Sequence, residues 1–176
     1  MKNIFNGFCT AVSMYSILPV PQVKWNDSTM KYAMCFFPLV GAVIGAFLFC
    51  LHALMKYFAV NVLLYSGVLT AIPVLISGGI HLDGFIDTCD AKFSRQSLER
   101  KLEILKDPHI GAFGAISCCC YFLLYFSVCG QLYNNNEYIL ILCLGFLLSR
   151  TWSGLSVVTF PLAKYRACIS FCGTRG

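Results

Sequence analysis

Three aspartates, Asp83, Asp87 and Asp90, stand three and four residues apart within an otherwise apolar chain. On an α-helix, where successive residues advance by about 100°, their side chains fall within an arc of about 60° on adjacent turns. The spacing therefore predicts one amphipathic, half-buried helix with a face of carboxylates. Its opposite side is predicted to be apolar and buried, with Leu82, Phe85, Ile86, Cys89 and Phe93.

A divalent cation is the chemistry that this carboxylate face favours. Three carboxylates on adjacent turns repel one another and raise each other's pKa unless positive charge lies between them. A hard cation removes this repulsion, and oxygen ligands suit magnesium or calcium better than zinc. The alternative is a solvated acidic helix face. The cation site is favoured because six of the chain's eight acidic residues lie between Asp83 and Asp107 in a chain that is only 12% charged.

The elements that must position these residues are membrane helices. The chain has 176 residues, of which 58% are hydrophobic, and its charged fraction is about half of that in ordinary soluble domains. Four apolar segments, 33–55, 62–80, 115–133 and 138–160, are each long enough to cross about 30 Å of hydrocarbon. We expect an all-α, polytopic integral membrane bundle, with residues 1–176 forming a single membrane domain.

Two features qualify this bundle. Residues 4–18 are apolar but diluted by polar side chains, and they end at Pro19. They predict an N-terminal interfacial or re-entrant helix, with a signal peptide as the alternative. Arg150 lies inside the fourth span, where a charge marks either a functional residue or one that snorkels or pairs with a neighbouring helix.

Basic residues predict the orientation of the spans. Lysines and arginines concentrate in three segments, whereas the two intervening turns hold only Lys56. The positive-inside rule places the three basic segments, and with them the acidic stretch, in the cytoplasm, and we expect a plasma (inner) membrane protein. The basic residues of these segments are Lys24, Lys31, Lys92, Arg95, Arg100, Lys101, Lys106, Lys164, Arg166 and Arg175.

The cytoplasmic loop, residues 78–114, is predicted to contain further structure. Gly78 and Gly79 can break the second span before the acidic helix begins. Ser94 is the expected N-cap of an amphipathic helix that ends before Pro108 and carries Leu98, Leu102 and Leu105 on its apolar face. Such a helix either lies on lipid headgroups or helps to hold substrate phosphates. Gly111 and Gly114 follow. Glycines there either let backbone amides approach an anion or merely permit tight entry into a helix.

Composition also disfavours two classes of site. The eleven cysteines lie mostly in apolar runs, no C-x2-C pair exists, and consecutive Cys118, Cys119 and Cys120 cannot share one metal on a helix. They are interpreted as packing residues. No basic stripe is interleaved with exposed aromatic side chains, so nucleic acid is not an expected partner.

Several blocks together resemble the cobalamin synthase family, adenosylcobinamide-GDP ribazoletransferase. The most specific block, G-G-x-H-L-D-G-x-x-D-T-x-D, runs from Gly78 to Asp90. The resemblance is expected to end near Lys164 and to leave an atypical tail, 165–176. The other blocks are Leu18-Pro19-Val20-Pro21, Phe36-Phe37-Pro38-Leu39-Val40-Gly41 and Lys106-Asp107-Pro108-His109-Ile110-Gly111-Ala112-Phe113-Gly114.

The resemblance implies a reaction and a set of residue roles. Adenosylcobinamide-GDP is joined to α-ribazole, or to its 5′-phosphate, with release of GMP, in the final steps of cobalamin biosynthesis. Asp83, Asp87 and Asp90 would bind one or two Mg²⁺ ions, and Asp107 would complete the metal shell or accept the hydroxyl proton. The remaining candidates are Lys92, Arg95 and Lys106, as phosphate contacts, and His81, as a ligand, a proton donor or a helix cap.

The chain departs from the family in two ways. Ala91 replaces a glycine that usually follows the third aspartate, and the family's chains are longer, which suggests a truncated or frame-shifted C-terminus. A non-catalytic subunit, a CDP-alcohol-type membrane phosphotransferase and a cation transporter are the alternatives. A kinked, cysteine- and glycine-rich bundle can also pair with copies of itself. Of the other histidines, His109 has no single assignment, and His52 is expected to be packed and hydrogen-bonded.

Overall fold

The structure, a computed structural model, describes residues 2–21, 23 and 27–160, so the tail 165–176 lies outside the described residues. Throughout the described part of the chain the regular elements are helices, which confirms the all-α prediction. They are α1 (Lys2–Tyr15), α2 (Asp27–Tyr57), α3 (Val62–Ile76), α4 (Ile80–Phe93), α5 (Leu98–Ile104), α6 (Ala112–Leu132) and α7 (Tyr138–Thr159).

Three of these helices are long and apolar enough to cross a membrane: Ala33–Tyr57, Ala112–Leu132 and Tyr138–Thr159. A fourth span exists if α3 and α4, which are bent by 92° at a short break, count as one. Large apolar side chains cover the outer faces of these helices; Leu123 is 69% exposed and Trp152 is 68% exposed. Such faces suit lipid rather than water, and the protein is a multi-pass membrane protein.

The second span differs from its prediction. A continuous span over 62–80 is wrong, because α3 ends at Ile76 and its 15 residues rise by about 22 Å. The predicted break at Gly78 and Gly79 is confirmed: their φ angles are +63° and +77°, a region that glycine adopts at little cost. The Gly79 amide donates to the Val74 carbonyl at 3.0 Å, which closes the last turn of α3.

The residues divide into two compact units. The first unit comprises Met1–Gly45 and Cys143–Gly176, and its described part consists of α1, the start of α2 and most of α7. Gly41 and Gly45 let α2 approach α7 closely. A Cβ atom at Gly41 would lie 2.9 Å from the Phe146 carbonyl carbon, and one at Gly45 would lie 2.8 Å from the Cys143 oxygen. Arg150, the intramembrane charge, is buried. A Cβ atom at Gly41 would also lie 3.0 Å from Arg150 Cγ.

The second unit, Ala46–Leu142, holds the end of α2 and helices α3 to α6. Helix α6 packs against α3 and α4, and α4 also packs against α5. The prediction for His52 is confirmed, since its Nδ1 lies 2.6 Å from the buried Tyr65 hydroxyl. All eight positions of the predicted site belong to this unit.

The amphipathic helix of the loop begins later than predicted. Ser94 does not cap it; Ser94 is the C-cap of α4, and its amide donates to the Asp90 carbonyl at 3.1 Å. The N-cap of α5 is Ser97, whose hydroxyl accepts from the Arg100 amide. The predicted end before Pro108 is confirmed, because α5 ends at Ile104.

Candidate functional site

Helix α4 carries the three aspartates, as the spacing predicts. It starts directly after the left-handed Gly79, and Asp83 lies in its first turn, where the helix dipole stabilises a negative charge. Solvent exposure falls along the row: Asp83 is exposed, Asp87 is half-buried and Asp90 is buried. The three side chains therefore share one helix but not one environment.

The carboxylate of Asp87 shows the repulsion that the sequence predicts. Its pKa is raised, first by burial and then by the neighbouring charges of Asp83 and Asp90. Residues four apart on a helix have Cβ atoms about 5–6 Å apart, so Asp83 and Asp87 present their carboxylates side by side. Positive charge placed between them would relieve this repulsion.

Asp90 is engaged by the chain itself. Its Oδ2 accepts a hydrogen bond from the Gly111 amide and its Oδ1 accepts one from the Gly114 amide, each at 2.8 Å. Gly111 is the N-cap residue of α6 and Gly114 is its third helical residue. These amides are the two that a capping box satisfies, and here one carboxylate from α4 serves both. The anion at the two glycines is thus Asp90, which the sequence did not identify.

The buried side of α4 also differs from its prediction. The residues it buries are Cys89, Asp90 and Ala91. Phe85 is 39% exposed and Phe93 is 47% exposed, although both were expected on the buried face. The reason is the capping contact, which turns the Asp90 side of the helix toward α6. Ala91, which replaces the glycine usual in the resembled family, lies within α4 in a helical conformation that alanine adopts readily.

Asp107 lies in the segment between α5 and α6, paired with His109. Its Oδ1 is 2.6 Å from His109 Nδ1 and accepts from the His109 amide at 3.0 Å. These hydrogen bonds, the side-chain bond first, lower the pKa of Asp107. A carboxylate with a lowered pKa is a weak proton acceptor near neutral pH, which favours a ligand or orienting role over that of a general base.

The three basic candidates lie at the end of α4 or later in the chain. Lys92 occupies the last turn of α4, Arg95, with φ of +54°, follows the C-cap Ser94, and Lys106 lies beyond α5. All three are exposed, so their ammonium and guanidinium groups are available to an anion from solvent. His81 lies in the first turn of α4. Their assignments as phosphate contacts, and that of His81, stay predictions.

The carboxylates of α4 fit a magnesium site with two protein ligands, but not one with three. Across the described residues, no group of three or more His, Cys, Asp or Glu side chains is arranged to hold a metal ion. Magnesium, however, commonly takes one or two protein carboxylates and completes its shell with water and substrate phosphates. Asp83 and Asp87 supply that number. The pKa of Asp87 is raised by burial and then by the neighbouring charges of Asp83 and Asp90, and a bound cation would offset both effects.

The fold and this site define a multi-pass membrane protein with a carboxylate-bearing helix that follows a broken span. The family model described as cobalamin-5-phosphate synthase matches residues 7–173, and the chain belongs to this family. The match extends beyond Lys164, so the expected end of the resemblance at that residue is wrong.

Curated relatives carry the name adenosylcobinamide-GDP ribazoletransferase. The protein of Lachnoclostridium phytofermentans is 47% identical over 165 residues, which are 94% of this chain and 62% of the relative. A Clostridium botulinum protein is 40% identical over 80% of this chain and 57% of its own length. A Clostridium perfringens protein is 32% identical over 90% of this chain and 63% of its own length. The chain thus spans about three fifths of the length of these relatives. No solved structure matches it.

Proposed function

We propose that the protein is a magnesium-dependent membrane transferase that joins adenosylcobinamide-GDP to α-ribazole, or to α-ribazole 5′-phosphate, with release of GMP. The observation that carries the proposal is the pair Asp83 and Asp87, one turn apart on α4 in a chain of this family. Burial, and then the neighbouring charges of Asp83 and Asp90, raise the pKa of Asp87, and a cation would offset both effects. Relatives of this chain are named for the same transfer.

The bonds of the reaction follow from its products. GMP retains the phosphorus next to guanosine, so the acceptor hydroxyl attacks the other phosphorus of the diphosphate. One phosphorus–oxygen bond to the acceptor forms, the anhydride bond to GMP breaks, and the hydroxyl proton leaves to a base. Phosphoryl transfer of this kind depends mainly on positioning and charge neutralisation.

The residues of the site divide this work. Asp83 and Asp87 would hold magnesium, which neutralises charge on the diphosphate and on the departing GMP. Lys92, Arg95 and Lys106, all exposed, would contact phosphate oxygens.

Asp107, ionised and oriented by His109, would serve as a further ligand more readily than as the base. His81, in the first turn of α4, would act as a ligand, a proton donor or a helix cap. The corrinoid substrate would reach the site from the cytoplasmic face of the inner membrane, where the basic segments are expected.

The test is release of GMP from membranes that contain the full chain, supplied with adenosylcobinamide-GDP, α-ribazole and magnesium. We expect release that requires magnesium and that falls about 10²–10³-fold in Asp87→Asn, the scale at which loss of one charge-stabilising group slows an enzyme. Glu137→Gln, in an exposed turn between α6 and α7, is the matched control and should retain activity. Cation uptake into vesicles without GMP release would instead support a transporter, and CMP release from a CDP-alcohol would support the other phosphotransferase class.

A further inference from the structure

We propose that Asp90 is a positioning residue and not a magnesium ligand: its carboxylate fastens the start of α6 to α4 and so holds the Asp107 segment beside the metal-binding carboxylates. This role rests on the proposed function for its catalytic consequence. The capping of α6 by Asp90 is a structural property, and it can be tested by unfolding without an activity assay.

The environment of the Asp90 carboxylate differs from that of its two neighbours on α4. Both of its oxygens accept hydrogen bonds from backbone amides at 2.8 Å, and the residue is only 8% exposed. The adjacent Cys89 and Ala91 are buried as well, at 8% and 5% exposure. A hydrated cation therefore has open access to Asp83 but not to Asp90.

The two glycines of the Gly111-Ala112-Phe113-Gly114 stretch are explained by this carboxylate. Gly111 has φ of −89° and ψ of 169°, which any residue adopts, so its backbone conformation does not require glycine. A Cβ atom there would lie 2.7 Å from Asp90 Cγ. At Gly114 it would lie 2.9 Å from Asp90 Cγ and 2.8 Å from Ile86 Cγ2. The absence of side chains at both positions makes room for the Asp90 carboxylate.

The contact joins the two acidic segments of the site. Asp90 lies one turn beyond Asp87 on α4, and Gly111 lies four residues after Asp107 in the sequence. Four residues span at most about 14 Å, so the bond from the Gly111 amide limits how far Asp107 can move from α4. Without it, the start of α6 loses the acceptor of two amides and the Asp107 segment loses this tether.

The test exchanges the cap rather than only removing it. In Asp90→Ala, both amides lose their acceptor; in Gly111→Ser, the new side chain collides with the carboxylate. The double variant, D90A with G111S, leaves space for a serine at the N-cap of α6, where its hydroxyl can accept from the Gly114 amide. Thermal unfolding of the full chain in detergent should show both single variants melting below wild type. The double variant should regain part of the loss, because the Gly114 amide regains an acceptor whereas the Gly111 amide does not.

Activity then distinguishes positioning from metal binding. We expect GMP release to fall about tenfold or more in each single variant and to stay low in the double variant, because a serine at position 111 caps α6 without joining it to α4. The magnesium concentration for half-maximal release should equal that of wild type. D83N combined with G111S is the matched control for unfolding and should show no recovery of the melting temperature. If Asp90→Ala does not fold in membranes, recovery of folding in the double variant gives the same support.

Two results would overturn the proposal. One is a double variant that melts as low as the single variants, which would show that the carboxylate does not act as the cap of α6. The other is a double variant that is stable yet needs more magnesium than wild type for half-maximal release, which would make Asp90 a ligand. If the double variant regains stability but wild type releases no GMP, Asp90 still caps α6 and the proposed function is rejected.

Discussion

At the scale of single residues, the three aspartates of one helix have three different environments. Asp83 is exposed in the first turn of α4, Asp87 is half-buried with a raised pKa, and Asp90 is buried beneath two amides. The spacing predicted their common helix correctly. It did not predict the partner of Asp90, because that partner lies 21 and 24 residues away and depends on how α6 packs against α4.

The raised pKa of Asp87 gives a stability prediction with a definite sign. The folded state holds the proton more tightly than the unfolded chain, whose value is 3.8. This stabilisation is complete below the unfolded pKa and is lost as the pH rises through the raised folded pKa. In metal-free protein at pH 7, Asp87→Asn should therefore raise the free energy of unfolding, by up to about 1 kcal/mol because solvent screens the charges.

The measurement is denaturant unfolding in detergent with a chelator present, at pH 7 and at pH 3.5. The advantage of Asp87→Asn should disappear at the lower pH, where wild-type Asp87 is protonated. Adding magnesium should stabilise wild type more than the variant, because a ligand that binds only the folded state raises stability by mass action. A variant less stable than wild type at pH 7 without metal would show that Asp87 is not repelled by its neighbours.

At the scale of elements, the bend between α3 and α4 places the aspartates. Gly78 and Gly79 both have positive φ, and the helix axes change direction by 92° across them. The sequence predicted the break because paired glycines are poor helix formers. It did not predict how early α3 ends, nor that Ser97 and not Ser94 caps α5, because serine is an equally good cap at both positions.

Gly79 and Gly84 form a matched pair for testing this bend. At both positions a Cβ atom would meet nothing within 4 Å, so packing is not disturbed in either variant. Gly79→Ala forces alanine into the left-handed region and should cost about 1–2 kcal/mol. Gly84→Ala, inside α4, should be neutral or stabilise by about 0.5–1 kcal/mol. Denaturant unfolding of the two variants measures the difference, and equal stabilities would mean that the chain does not require the left-handed turn at Gly79.

At the scale of the whole molecule, the acidic and basic residues of the site belong to one compact unit, Ala46–Leu142. The chain spans about three fifths of the length of its relatives, 62% of one and 57% of another. Composition was enough to predict three of the membrane helices, since each is apolar along most of its length, but not the early end of α3 at Ile76. The carboxylates that would bind magnesium, the tether at Asp90 and the Asp107 segment are all contained in this chain, so cation binding can be measured on it directly.

That measurement is a titration of the full chain in detergent with Mn²⁺, a paramagnetic substitute for magnesium, followed by electron paramagnetic resonance. The account predicts one saturable site in wild type and binding weakened about tenfold or more in Asp83→Asn and in Asp87→Asn. It also predicts wild-type affinity in the variant that combines D90A with G111S. Mn²⁺ bound as tightly by Asp87→Asn as by wild type would contradict the assignment of Asp83 and Asp87 as the metal-binding pair.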